Sequence, residues 1–241
     1  MSRIIFQESY IVIIPSYTKT VMHKHPFMHL FFSEKECVIT ANEKDIQGNM
    51  ILLNSNVKHM INEENDCDFF LLIEPTSALA ERLFNRYMQD RDYYNISGNL
   101  ITVSKDFNRI SDKEIAEEVK AILSNIGIST EHNCTRDERI EQVIFQIISG
   151  AWLKYSVKEI AEAVFLSESR LTHLFKEEVG ISLKSYILIQ RMEYAYRFVN
   201  AGGKITQAAM ESGFASSAHL AYTCKTLTGI SITEVLKCSK E

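Results

Sequence analysis

The chain has 241 residues, 46% hydrophobic and 24% charged, a balance expected of a soluble globular protein with room for two domains. No apolar run approaches the ~20 residues of a membrane helix, and the N-terminus lacks the basic-then-apolar pattern of a secretory signal. Five scattered cysteines without a CxxC pair point to a reducing cytoplasm and away from disulfides or a zinc finger. The net charge of −5 is uneven, at −6 over residues 1–134 and +1 over 135–241, so DNA binding would require cations focused on one face.

From residue 1 to about 75 the sequence reads as short strands, at Ile11–Ile14, Met28–Phe32, Cys37–Ala41, Met50–Leu53, Val57–Ile61 and Phe69–Ile73. Asn42-Glu43-Lys44 and Gln47-Gly48-Asn49 are the predicted breaks between some of them. This spacing suggests a small antiparallel barrel or sandwich. From 76 to 133 the period becomes helical, with Leu79, Leu83, Phe84 and Tyr87 on one face. Ile115, Val119, Ile122, Leu123 and Ile126 share the face of a second helix, opened by the capping box Ser111-Asp112-Lys113-Glu114 and stopped at Gly127. That seam suits pairing with a second copy of the chain or packing on its own barrel; the dimer is the favoured expectation. Between the two helices Leu100–Val103 offers a further strand. From 134 to 241 everything reads as helix, beginning with a capping box at Thr135-Arg136-Asp137-Glu138.

A third capping box, Ser156-Val157-Lys158-Glu159, opens a short helix with Val157, Ile160, Ala161 and Val164 on one face. The small Ala161 lets a second helix cross closely. A Phe165-Leu166 turn follows, then a helix capped by Ser167, with Leu171, Leu174, Phe175 and Val179 facing inward and Gly180 at its end. This is the spacing of a DNA-binding helix-turn-helix. The pattern recurs. Ala209 matches Ala161, Gly213-Phe214 matches the turn, Leu220 matches Leu171, Lys225 matches Lys176, and Gly229-Ile230-Ser231 matches Gly180-Ile181-Ser182. The offset is 48 residues before the turn and 49 after it. An amphipathic helix with Leu188, Met192, Ala195 and Val199 on one face joins the two copies. One such apolar pattern arises by chance in helical bundles, whereas two in register do not readily do so.

These residues, with Lys176, Tyr186, Arg191 and Ala195, resemble the DNA-binding domain of the arabinose-operon regulator (AraC/XylS) family over residues 156–236. Cys224 stands where that family usually has Phe, Ile232 where it has Pro, and Ala208 where it has a larger aliphatic residue. The resemblance implies a sequence-specific transcription regulator, more often an activator, that is not an enzyme and works with RNA polymerase; the cysteine pattern and the helix seam above add the expectation of a cytoplasmic homodimer. In a helix-turn-helix the solvent face of the second helix enters the major groove. Here that face offers Ser169, Arg170, Thr172, His173 and Lys176 in the first copy, and Ser217, Ala218, His219, Tyr222 and Lys225 in the second. Arg170 and Lys176 suit phosphate or guanine, Thr172 and His173 base edges, and Ala218 only apolar contact. The first helix is therefore expected to discriminate more. Arg191 is expected to be structural or to face phosphate. The two copies would occupy successive major grooves, roughly 34 Å apart.

Regulators of this kind often carry a cupin-like barrel as sensor, so the expected fold is α+β, a barrel with linker helices followed by an all-α tandem domain. His23, His25, His29 and His59 follow a spacing similar to metal-binding cupins, with His29 in place of a carboxylate. Alternation along a strand would let His23 and His25 share an ion. The family's sensors mostly lack metal, so no cofactor is expected. A small-effector pocket lined by these histidines with Phe27, Phe31, Ile39 and Leu53 is the favoured reading. Two other functions stay open: a metal-dependent cupin enzyme with an accessory helical domain, for which no catalytic pairing is visible, and a regulator controlled by a protein partner.

Overall fold

The alternating pattern of the first 75 residues resolves into one antiparallel sheet. The protein's structure, a computed structural model, describes residues 3–15, 22–61, 67–96, 107, 109–130, 137–228 and 232. The chain divides into two units, residues 1–131 and 132–241. In the first, strands β1 (Arg3–Phe6), β2 (Tyr10–Ile14), β3 (Met28–Ala41), β4 (Lys44–Leu53), β5 (His59–Ile61), β6 (Phe69–Ile73) and β7 (Tyr93–Asn95) pair in the order β1-β2-β6-β3-β4-β7. β5 lies beside β3 off that path. The α+β class is as expected, but the sheet does not close into a barrel among the described residues.

Several boundaries differ from the sequence reading for local reasons. The two runs Met28–Phe32 and Cys37–Ala41 are one strand, because a register shift between Phe32 and Cys37 absorbs the intervening polar residues without ending the pairing. Asn42 and Glu43 have φ of 47° and 65°, the backbone of a two-residue hairpin turn whose twist matches its strands. The predicted break at Gln47-Gly48-Asn49 is absent. Gly48 sits inside β4, where a Cβ would lie 2.4 Å from the Asn95 side chain of β7, so its role is close approach. Leu100–Val103 lies outside the described residues.

Period-2 alternation gives the sheet two buried faces. Leu30, Phe32, Met50, Leu52, Phe69 and Leu71 on one face form a common core with α1 (Ala78–Leu83) and α2 (Asp112–Asn125). α1 runs into a single π-helical turn, Phe84–Met88, closed by the Gln89 amide donating to the Phe84 carbonyl at 3.1 Å. The wider turn moves Phe84 off the expected apolar face and into solvent, leaves Tyr87 half-buried and brings Met88 into the core. α2 starts at the expected capping box, with Ser111 and Glu114 bonded reciprocally. Its seam is covered within the chain: Ile115, Val119, Ile122, Leu123 and Ile126 are all buried in the core that the sheet and helices of the same chain share. A pairing surface for a second copy must therefore use other residues.

The second unit contains α3 (Glu138–Ile148), α4 (Val157–Ala163), α5 (Glu168–Val179), α6 (Leu183–Asn200), α7 (Ile205–Glu211) and α8 (Ser217–Thr228). α3 is capped by Asp137, whose carboxylate accepts from the Arg139 amide and pairs with its guanidinium. That bonding holds the Asp137 carboxyl down to about 2. The expected cap Thr135 lies outside the described residues. Met192, Ala195 and Val199 of α6 are buried as expected, whereas Leu188 is half-buried and Tyr186, Ile187 and Ile189 take its place. No helix among the described residues is long and apolar enough to cross a membrane.

Candidate functional site

Two helix pairs in the second unit repeat one geometry at the turn and the second helix, although α4 opens on the Ser156–Glu159 capping box and α7 on Lys204 without a side-chain cap. Both second helices start on serine: the Ser167 hydroxyl accepts from the Arg170 amide at 3.2 Å and the Ser216 hydroxyl from the His219 amide at 3.1 Å. The turns close alike, Leu166 donating to Ala161 at 2.9 Å and Phe214 to Ala209 at 2.8 Å. Phe165 and Gly213 occupy the same place in their turns, and both have left-handed backbone, with φ of 56° and 82°. Ala161 and Ala209 are buried at the two helix crossings, where a larger side chain would hold the backbones apart.

The inward faces are equivalent in position but not in size. Ile160, Val164 and Phe175 in the first pair correspond to Ala208, Ser212 and Cys224 in the second, all six of them buried. Ser212 is satisfied by donating to the Ala208 carbonyl at 2.6 Å. Arg191, on the connecting helix α6, joins the two pairs. Its Nε donates to the Leu153 carbonyl at 2.6 Å, and the same guanidinium lies where a Cβ on Gly213 would meet it at 3.1 Å. It is structural. Lys154 pairs with Glu211 at 3.3 Å across the same junction.

The expected reading faces point outward. On α5, Ser169, Arg170, His173 and Lys176 are exposed and Thr172 is half-buried. The Thr172 hydroxyl donates its one hydrogen between the Glu168 and Ser169 carbonyls, each at 3.0 Å, so its methyl group and its acceptor lone pairs are what it presents. On α8, Ala218, His219, Tyr222 and Lys225 are exposed and Ser217 is half-buried. Tyr222 is 70% exposed, so it does not pack against α6. His219 is engaged locally: its Nδ1 accepts from the Ala215 amide at 3.4 Å, and its ring stands edge-on to Phe214. Phe165, 93% exposed at the first turn, was not singled out from sequence; its alignment with Gly213 is the signal that could have found it.

In the first unit the structure brings the four histidines together. Ring centroids lie 4.4 Å apart for His23 and His59, 5.3 Å for His25 and His59, 4.6 Å for His25 and His29, and 4.4 Å for His29 and His59. His23 is not on a long strand with His25; it forms an isolated bridge with His59. Both ring nitrogens of His25, Nδ1 of His29 and Nε2 of His59 are buried without a hydrogen-bond partner. Such orphaned polar atoms cost about 1–3 kcal/mol each. Burial holds His25 at about 3 and His59 at about 4, and pushes His29 well below the ordinary imidazole value, so these three rings favour the neutral form at pH 7. The other residues of the expected effector pocket are buried as well: Phe31, Ile39 and Leu53 have no exposed surface and Phe27 almost none.

A repeated helix pair with an outward second helix in each copy defines a tandem helix-turn-helix domain. A family model described as a helix-turn-helix domain matches residues 160–237, overlapping the segment where the sequence resembles the AraC family. The chain is 32% identical over 81 residues to a probable transcriptional regulator, LumQ, of Photobacterium leiognathi, covering 33% of each protein. It is 22% identical over 187 residues to an uncharacterized HTH-type transcriptional regulator of Staphylococcus aureus, covering 75% of this chain and 24% of that one. The chain thus spans a third or less of these relatives. Over 97% of its length it is similar in fold to ToxT from Vibrio cholerae, at 16% identity, a TM-score of 0.50 and 98% coverage of that chain.

Proposed function

We propose that this protein is a sequence-specific DNA-binding transcription regulator, with α5 and α8 as its reading helices. The carrying observation is that both second helices bury one face against their partners and turn a polar face outward, in two copies built on the same capping and turn bonds. α5 is the main discriminating helix and α8 mainly positions. Two features support this ranking: α5 presents two cations, Arg170 and Lys176, where α8 presents one, Lys225, and His219 is tied to its own turn. The test is affinity for duplex fragments from upstream of the protein's own gene, measured against a scrambled duplex. Thr172→Ala and His173→Ala are expected to reduce the specificity ratio by roughly tenfold each, at ~1–3 kcal/mol per base contact. His219→Ala and Tyr222→Ala should reduce it less; equal losses on both helices sink the ranking.

The first unit is the regulatory part, and activation through RNA polymerase in the cytoplasm is the proposed mode. Burial of Phe31, Ile39 and Leu53 means that a small effector seated among them would be enclosed by the first unit; control by a protein partner is the second reading. Either would act by stabilising one arrangement of the chain over another.

A further inference from the structure

We propose that His23, His25 and His59 form a binding site for a divalent transition-metal ion of the zinc class, in the first unit and independent of the DNA-reading helices. One ligand nitrogen from each of these residues lies within 4.8 Å of the other two. A tetrahedral ion bound at about 2.0–2.1 Å needs nitrogens about 3.3 Å apart. Small ring rotations supply that closure.

Each ligand is prepared by a separate feature of the fold. His59 Nδ1 meets the Val57 carbonyl at 2.8 Å. A carbonyl only accepts, so Nδ1 carries the proton and the lone pair is on Nε2, the atom left buried and unpartnered. Metal-binding histidines characteristically donate their other ring N–H to such a carbonyl, which fixes the tautomer and the ring plane. His25 is 3% exposed with neither ring nitrogen satisfied, so whichever nitrogen is unprotonated offers a lone pair to the cluster. His23 is set against His59 by two backbone hydrogen bonds of 3.0 and 2.9 Å, which fix the spacing of the two ligand-bearing segments. The Asn56 amide donates to the His25 carbonyl at 2.9 Å and ties the third. His23 is half-buried, at the rim, where an ion enters. His29 adjoins as a further imidazole, its ring stacked on Phe31 at 5.1 Å.

The donor set selects the ion. Three imidazoles with no carboxylate in the group suit zinc, copper, nickel or iron rather than magnesium or calcium.

The test uses the full chain, stripped with a chelator and titrated with Co2+, then with Zn2+. One Co2+ per chain is expected, with ligand-field absorption that one equivalent of Zn2+ abolishes and without a thiolate-to-cobalt charge-transfer band. His59→Ala and the rim variant His23→Ala are each expected to weaken binding at least about tenfold, the least that loss of even a supporting partner causes. His23→Ala should keep the parent circular dichroism, so loss of metal is not mistaken for loss of fold. Substoichiometric Co2+ on folded protein, a thiolate band, or unchanged affinity in His23→Ala would each overturn the proposal.

Discussion

Arg191 and the two turn residues show how single positions set the second unit. The Arg191 Nε–Leu153 carbonyl bond is charge-assisted and half-buried, and the guanidinium also fills the space beside Gly213. Arg191→Ala should therefore destabilise the unit by about 1.5–3 kcal/mol in urea unfolding, against a change within about 0.5 kcal/mol for the exposed Arg170→Ala. The paired turn positions should respond in opposite senses. Gly213→Ala forces a side chain onto φ of +82° with its Cβ 3.0 Å from the Leu153 carbonyl, and should cost more than about 1 kcal/mol. Phe165→Gly relieves a left-handed Phe at φ of 56° and should be neutral to stabilising, within about 1 kcal/mol. A large destabilisation by Phe165→Gly would mean that the exposed ring has packing partners the described contacts lack.

Among elements, α5 and α8 carry the same architecture on unequal cores. Replacing Ile160, Val164 and Phe175 by the smaller Ala208, Ser212 and Cys224 removes apolar burial from the second pair, an effect on the order of several kcal/mol in large-to-small core series. Amide hydrogen exchange should accordingly be faster in the middle of α8 than in the middle of α5; equal protection would show that the smaller core is compensated. The same elements show what a sequence discloses. Capping at Ser111, Ser156 and Ser167, the left-handed Gly180 and the 48-to-49 offset were legible because they are local or periodic. The merging of Met28–Phe32 with Cys37–Ala41 was not, since polar residues normally mark a break and only cross-strand pairing shows that the bulge is spanned. Gly48 was misread because a glycine that makes room for Asn95 looks, in one dimension, like a glycine that makes a turn. The seam of α2 was correctly seen as apolar, but periodicity does not say which surface covers it. For the histidines, sequence gave four donors at suggestive spacing; the orphaned nitrogens and the Val57 carbonyl that orients His59 exist only in three dimensions.

At the scale of the whole molecule, the charge sums of −6 over residues 1–134 and +1 over 135–241 leave DNA affinity to a few focused cations. Binding should then fall steeply with salt, and removal of one phosphate-contacting cation should lower the slope of log affinity against log salt by about 1. The tandem arrangement adds a geometric demand, since α5 and α8 on one α6 connector, reading DNA as proposed, would engage one face of a duplex in successive grooves. Footprinting of the purified chain on the DNA upstream of its own gene, alongside Arg170→Ala and Lys176→Ala, tests both. Two protected patches about one helical turn apart are expected, with protection weakened in each variant. No protected site, or protection indifferent to both substitutions, would contradict DNA reading by these helices.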